Sequence, residues 1–273
     1  MRESSGGPGQ TAADQAAEGL CLVHLVWAPL GPEALGRFVE SYRRYRTGVE
    51  HRLLILLNGF RAGHDLTPWR QKLEGVEHEE LLLTRPMLDL GAYRQAAEVA
   101  PAGRYCFVNS FSLIVQDDWL GALDRHLLSP GVGIVGTGGS YESAYSSAPR
   151  PLRPFRRDFD PFPNPHIRTN GFALRRELLL SLDWPAPRRK LDAWRLESGR
   201  RGISRQVRER GLSLLVVGRD GAAYQQERWR ESATFRSGGQ VNRLVADNRT
   251  LEYETVNPRR RLQLERLAWG TAG

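Results

Sequence analysis

From Leu20 onward, unbroken apolar runs alternate with stretches in which apolar residues recur every three or four positions. The run LCLVHLVWA (20–28) reads as a buried strand that stops at Pro29 and Gly31. Leu35, Phe38, Val39, Tyr42 and Tyr45 then fall at helical spacing, which predicts an amphipathic helix over 32–46. HRLLILLNGF (51–60) predicts a second strand ended by Asn58-Gly59, and EELLLT (79–84) a third after a short helix near Pro68–Leu73. Asp89 stands where it can cap a helix running to about Ala100, with Leu90, Tyr93, Ala96 and Ala97 on one face. RYCFVN (104–109) gives a fourth strand, and Asp117-Asp118 sit where carboxylates cap the next helix. VGIVGTGG (132–139) is a fifth strand ending in glycines.

Residues 140–165 hold six prolines and little periodicity, the mark of a lid or a mobile loop. HIRTNGFALRRELLLSL (166–182) reads as strand, turn and helix, 190–211 as helical, and LSLLVV (212–217) as a further strand. The tail 222–269 ends in a basic helix, NPRRRLQLERLAWG. Alternating helices and continuously apolar strands imply an α/β fold, a mostly parallel mixed sheet with helices on both faces. Ligands of such sheets bind beyond the carboxyl ends of the strands. That rule places Ala28-Pro29, Asn58-Gly59 and Asn109–Ser112 along one rim. No GxGxxG follows the first strand and no GxxxxGK[ST] occurs, which argues against dinucleotide and P-loop sites.

Composition changes this picture in three places. Residues 1–18 are rich in Gly, Ala, Ser and Gln without an apolar h-region, so they read as a disordered tail rather than a secretory signal. The two cysteines, Cys21 and Cys106, lie inside apolar runs and read as buried reduced thiols, with no zinc-type cluster. With no apolar run long enough to span a bilayer, a cytoplasmic or membrane-peripheral protein is expected. Charge divides the chain: residues 1–140 carry 13 basic and 16 acidic side chains, and residues 141–273 carry 26 and 15. A basic C-terminal half attracts nucleic acid, anionic lipid or a phosphorylated small molecule. No helix-turn-helix, zinc-finger or RNP-like signature supports nucleic acid, which stays the alternative from another class.

The order of these features resembles that of the family 2-like glycosyltransferases of the GT-A fold, over roughly residues 20–235. The pieces are VWAP (26–29), LLNGF (56–60), LDLGAYRQA (88–96), FVNSFS (107–112), NGFALRREL (170–178) and LESG (196–199). QQERW (225–229) is similar to the Gln-x-x-Arg-Trp motif of processive members. The resemblance implies a single Rossmann-like GT-A domain over 19–235, with 236–273 as a C-terminal extension. It also implies a bacterial-type enzyme of surface glycan or glycoconjugate synthesis. Such an enzyme moves a sugar from a nucleoside diphosphate sugar to a hydroxyl of a glycan, lipid-linked or small-molecule acceptor. The rival within the same fold is an inactive domain that only binds nucleotide sugar or glycan.

The same resemblance assigns roles to residues. Pro29, Asn58 and Asp89 match the nucleotide contacts. The family's metal-binding Asp-x-Asp falls on Asn109 and Phe111, beside Ser110. An amide and a phenyl ring are poor ligands for Mg²⁺ or Mn²⁺, so no tightly bound cofactor is expected, with Mg²⁺ or Mn²⁺ as the alternative. Basic side chains would then balance the leaving diphosphate, with Arg168, Arg175, Arg176, Lys190 and Arg228 as candidates. Glu197 matches the glutamate of the family's Glu-Asp pair, Ser198 replaces the aspartate, and Glu197 or Asp192 is the expected base of an inverting displacement. His166, Gln225, Arg228 and Trp229 are assigned to the acceptor.

Overall fold

Alternation along the first apolar run decides how the sheet is covered. In the computed structural model, which describes residues 18–147, 157–185, 187 and 189–271, strand β1 (Leu20–Trp27) is buried on both faces. Cys21, Val23 and Leu25 enter one hydrophobic core, and Leu20, Leu22 and Val26 enter a second on the other side. The helix Pro32–Arg44 covers the second face through Leu35, Phe38 and Val39. Strands β2 (Arg52–Asn58) and β3 (Glu79–Leu82) extend the sheet to one side of β1, and β4 (Arg104–Val108) pairs on the other, all parallel. The chain order therefore reverses beside β1, and a crevice opens at the carboxyl ends of β1 and β4.

Short strands β5 (Leu113–Ile114), β7 (Gly139–Ser140) and β8 (His166–Ile167) flank β6 (Val132–Gly136) in sequence, and β9 (Gly171–Arg175) follows. The large sheet is completed by β10 (Ser213–Val217) and β11 (Ala223–Tyr224), in the order β11-β10-β6-β9-β4-β1-β2-β3. β9 runs antiparallel between β4 and β6, so its first residue, Gly171, shares a rim with the last residues of β1, β2, β4 and β6. The expected doubly covered α/β sheet is present.

Several local expectations change. Leu88, not Asp89, occupies the cap position of the helix Asp89–Val99, and Asp89 is its first residue, where a negative charge meets the helix N-terminus. Asp118 precedes the helix Trp119–Leu127 with φ 58° and makes no capping bond. It pairs with Arg125 at 2.7 Å, while Asp117 accepts from the Arg46 amide at 2.7 Å, so both tether neighbouring chain instead. Residues 190–211 form two helices, Lys190–Ser198 and Ile203–Glu209, separated by Gly199 and Gly202. The Pro-rich stretch contains a short helix, Ala144–Ser147, and its residues 148–156 lie outside the described residues. So does the proposed tail, except Glu18, whose carbonyl accepts from Arg104 Nη1 at 3.1 Å.

Residues 236–271 pack into the rest of the chain. β12 (Val245–Ala246) pairs with β5, and the helices Asn248–Thr255 and Pro258–Trp269 follow. Trp269 Nε1 donates to the carbonyls of Phe235 and Arg236 at 3.0 and 3.2 Å, which pins the last helix beside those two residues. Among the described residues no helix is long and apolar enough to cross a membrane.

One core residue makes stability pH-dependent. His24 stacks on Phe38 with ring centroids 3.6 Å apart, and neither ring nitrogen has a partner. Burial lowers its pKa to about 3, whereas the unfolded chain titrates near 6.5. Between these values only the unfolded chain binds the proton, so stability falls as pH drops below about 6.5. At about 1.4 kcal/mol per unit, roughly 2 kcal/mol should be lost by about pH 5. His24→Leu should remove this loss in paired urea melts; equal pH slopes in both proteins would rule the ring out as its source.

Candidate functional site

The turn after β4 is built to hold itself. Asn109 Oδ1 accepts from the Phe111 amide at 2.9 Å and from Ser112 Oγ at 3.1 Å. Ser110 Oγ donates to the Leu25 carbonyl at 2.8 Å, closing the seam between β4 and β1 at the point where the strand order reverses. Phe111 is half exposed and carries no ligand atom. A divalent cation favours several carboxylate oxygens free to turn toward it, whereas this turn has no carboxylate, and its one amide oxygen already accepts from a backbone amide and a hydroxyl. Among the described residues no three His, Cys, Asp or Glu side chains gather as a cation site. The residues at this turn do not fit a divalent ion.

Further along the rim, past β6 and β8, lies a cavity of about 330 Å³. His166, Arg168, Glu197 and Trp194 line one side, and Phe235, Arg236 and the two C-terminal helices line the other. Glu197 is held by residue 169: its Oε1 accepts from the Thr169 amide and from Thr169 Oγ1, both at 2.9 Å. His166 is buried, and its Nδ1 lies 2.9 Å from the Asn164 carbonyl. A carbonyl only accepts, so Nδ1 carries the proton and Nε2 of the neutral ring is an acceptor. Asn164 in turn donates to the Ser198 carbonyl at 2.7 Å, tying His166 to the end of the Glu197 helix. Arg168 is fixed twice, by Asp247 Oδ2 at 2.9 Å and by the Phe235 ring 3.8 Å from its guanidinium carbon.

Asp89 faces this site from the helix after β3. Packing around its carboxyl raises its pKa and the Glu197 charge adds to the rise, while the residue as a whole is exposed. The Glu197 carboxylate, on a neighbouring helix, thus disfavours the ionisation of Asp89.

The structure brings Glu197, His166 and Arg168 together around the cavity, with Asp89 and Lys190 nearby, and places the remaining sequence candidates elsewhere. Asn58 is fully buried, and both ends of its amide bond the Met87 backbone, at 2.7 and 3.0 Å; it latches the loop before Asp89. Pro29 is exposed beyond β1. Arg175 and Arg176 lie at the opposite end of β9, where they donate to the carbonyls of Val132 and Ala97. That position sets them on the rim opposite Gly171 and the cavity. Asp192 accepts from the Arg189 amide at 2.9 Å and from Arg195 at 3.0 Å, as part of its helix's N-terminal cap. Lys190 sits over the exposed Trp194 ring at 5.6 Å, at the mouth of the cavity. Of the QQERW motif, Gln225 and Arg228 are exposed, and Arg228 pairs with Glu231 at 2.7 Å. Trp229 is wholly buried and donates to the Tyr224 carbonyl at 3.1 Å. A side chain at Gly139 would stand 2.4 Å from its ring, so the motif packs behind Ser140 rather than facing a ligand.

Sequence reasoning missed Phe235, Arg236, Arg249, Arg260 and Trp194. The basic composition of 141–273 was the one signal, and it does not single out positions.

No family model matches the chain, and no curated protein matches it. Among solved structures, similarity is found to a mannosyltransferase from Pyrobaculum calidifontis in complex with GDP-Man and Mn²⁺. It is 13% identical over 78% of this chain and 59% of that one, with a TM-score of 0.49. Glucosyl-3-phosphoglycerate synthase from Mycobacterium tuberculosis, in complex with Mn²⁺, UDP-glucose and phosphoglyceric acid, is 16% identical over 77% of this chain and 71% of that one, with a TM-score of 0.42. At these values the likenesses assign no activity and no ligand to this chain.

Proposed function

We propose that the chain is a glycosyltransferase that moves a sugar from a nucleoside diphosphate sugar onto an acceptor hydroxyl with inversion, in the assembly of a glycan or glycoconjugate. The observation that carries this reading is Glu197, held on one oxygen by Thr169 and lining an arginine-bearing cavity beside β7 and β8. Its place in LESG and the order of motifs along the chain support it. The acceptor oxygen bonds to the anomeric carbon as the bond from that carbon to the donor phosphate oxygen breaks. The electron pair leaves with the diphosphate, and the hydroxyl proton passes to Glu197, whose Oε2 is not engaged by Thr169. Arg168, oriented by Asp247, supplies positive charge near the leaving group. Because the β4 turn does not fit a cation, no step is routed through a metal.

A thermal-shift screen of nucleoside diphosphates and their sugars, each with EDTA and with Mn²⁺, tests the reading, followed by nucleotide release from any donor that binds. Binding and turnover that survive EDTA are expected. Binding without turnover under both conditions would reduce the protein to a nucleotide-sugar binder, and turnover only with Mn²⁺ would overturn metal independence.

A further inference from the structure

One arginine of the cavity keeps an N–H that the protein alone leaves unsatisfied. Arg236 is 5% exposed, and its Nε has no hydrogen-bond partner. Its two carboxylate neighbours, Glu142 and Glu252, stand 3.5 and 3.6 Å away, at or beyond hydrogen-bonding distance. Its backbone holds φ 46°, unusual for a residue with a side chain. Arg168 and Arg236 share the Phe235 ring, with guanidinium carbons 3.8 and 4.9 Å from its centroid, so two cations are held beside one aromatic side chain. Arg249 and Arg260 complete the basic wall. A buried guanidinium with an idle N–H is costly unless something polar completes it. Glu252 lies 3.4 to 3.6 Å from three of these guanidiniums, so a single carboxylate is shared among Arg236, Arg249 and Arg260 and their remaining N–H groups can take a further anion.

We infer that this cavity binds a phosphate group carried by the acceptor, recognised by Arg236 with Arg249 and Arg260. The inference rests on the glycosyltransferase reading for the word acceptor, but not for the anion site itself. Guanidinium forks match phosphate oxygens, and several of them favour a dianion. The location separates this group from the donor. The cavity is walled by the Glu197 helix and the C-terminal helices, and neither Pro29 nor Asn58 at the ends of β1 and β2 lines it. Trp194, 48% exposed at the cavity lining, offers an apolar face on which the uncharged part of a sugar-like acceptor can lie.

The test is calorimetric titration of the full chain with inorganic phosphate, alone and with saturating nucleoside diphosphate. Phosphate should bind, more weakly as salt is raised, and with unchanged affinity when nucleotide is present. Arg236→Gln should weaken it roughly ten- to a hundredfold. Arg260→Gln, on a more exposed side chain that should fold normally, should weaken it in the same direction, while Arg70→Gln, outside the cavity, should not. Absence of phosphate binding, or Arg236→Gln and Arg260→Gln both binding like the parent, overturns the site. Competition between nucleotide and phosphate would assign the cavity to the donor diphosphate and overturn the acceptor assignment. A chain that binds phosphate through Arg236 but releases nucleotide from no donor keeps the anion site and loses the glycosyltransferase reading.

Discussion

Glu197→Gln is expected to lower turnover by about two to four orders of magnitude, the usual contribution of a positioned general base. The substitution keeps the shape of the side chain. Its amide oxygen can still accept from the Thr169 amide and hydroxyl, the two bonds that fix Glu197 in place. Donor affinity and melting temperature should therefore remain near those of the parent, and the loss should fall on kcat. Asp192→Asn makes the contrast. Asp192 caps its helix and pairs with Arg195, so that change should cost about 1 kcal/mol of stability with little effect on turnover. Steady-state kinetics of both variants decide the matter. An active Glu197→Gln beside an inactive, folded Asp192→Asn would move the base to Asp192.

The two periodicities in the sequence carried the fold further than the site. Continuous apolar runs marked β1, β2 and β4 because these strands are covered on both faces, and three-to-four spacing marked the helix Pro32–Arg44. The direction of β9 was not legible, because a strand inserted antiparallel between β4 and β6 has the same burial pattern as a parallel one. That direction governs the site. At about 3.4 Å per residue, β9 separates Gly171 from Arg176 by roughly 17 Å, so the adjacent motif residues of NGFALRREL end on opposite rims. Glu197, His166 and Arg168, which line the cavity, lie within or beside short motifs near chain reversals, where the sequence draws attention to them. Arg236, Arg249 and Arg260 were not legible, because they reach the cavity only when the last two helices fold back across it. Asn58 and Ser110 show the converse: a polar residue at a strand end looks the same in sequence whether it meets a ligand or the protein's own backbone.

Asp247→Ala should be among the most destabilising single changes in the chain, by about 3–5 kcal/mol. Asp247 is 1% exposed and does two jobs. Oδ1 accepts from the amides of Arg249 and Thr250 at 3.0 and 2.8 Å, starting the helix Asn248–Thr255, and Oδ2 pairs with Arg168 at 2.9 Å. Alanine removes the cap and strands a guanidinium that is only 12% exposed. At about 2–4 °C per kcal/mol for a chain of this size, the melting temperature should fall by roughly 6–20 °C. Asp247→Asn separates the two roles, since an asparagine oxygen still caps but no longer offsets the charge on Arg168. The titration of the parent gives an independent check. Burial alone would raise the Asp247 pKa, but Arg168 and the Thr250 bonds outweigh it and the carboxyl is held below its ordinary value. The stabilisation is therefore complete at neutral pH and disappears as pH falls below about 3.9 toward the folded-state value. In Asp247→Asn that acid-dependent part should vanish. If Arg168→Met combined with Asp247→Asn is no more stable than the sum of the single losses predicts, the two side chains are not coupled and the buried pair does not hold this wall of the cavity.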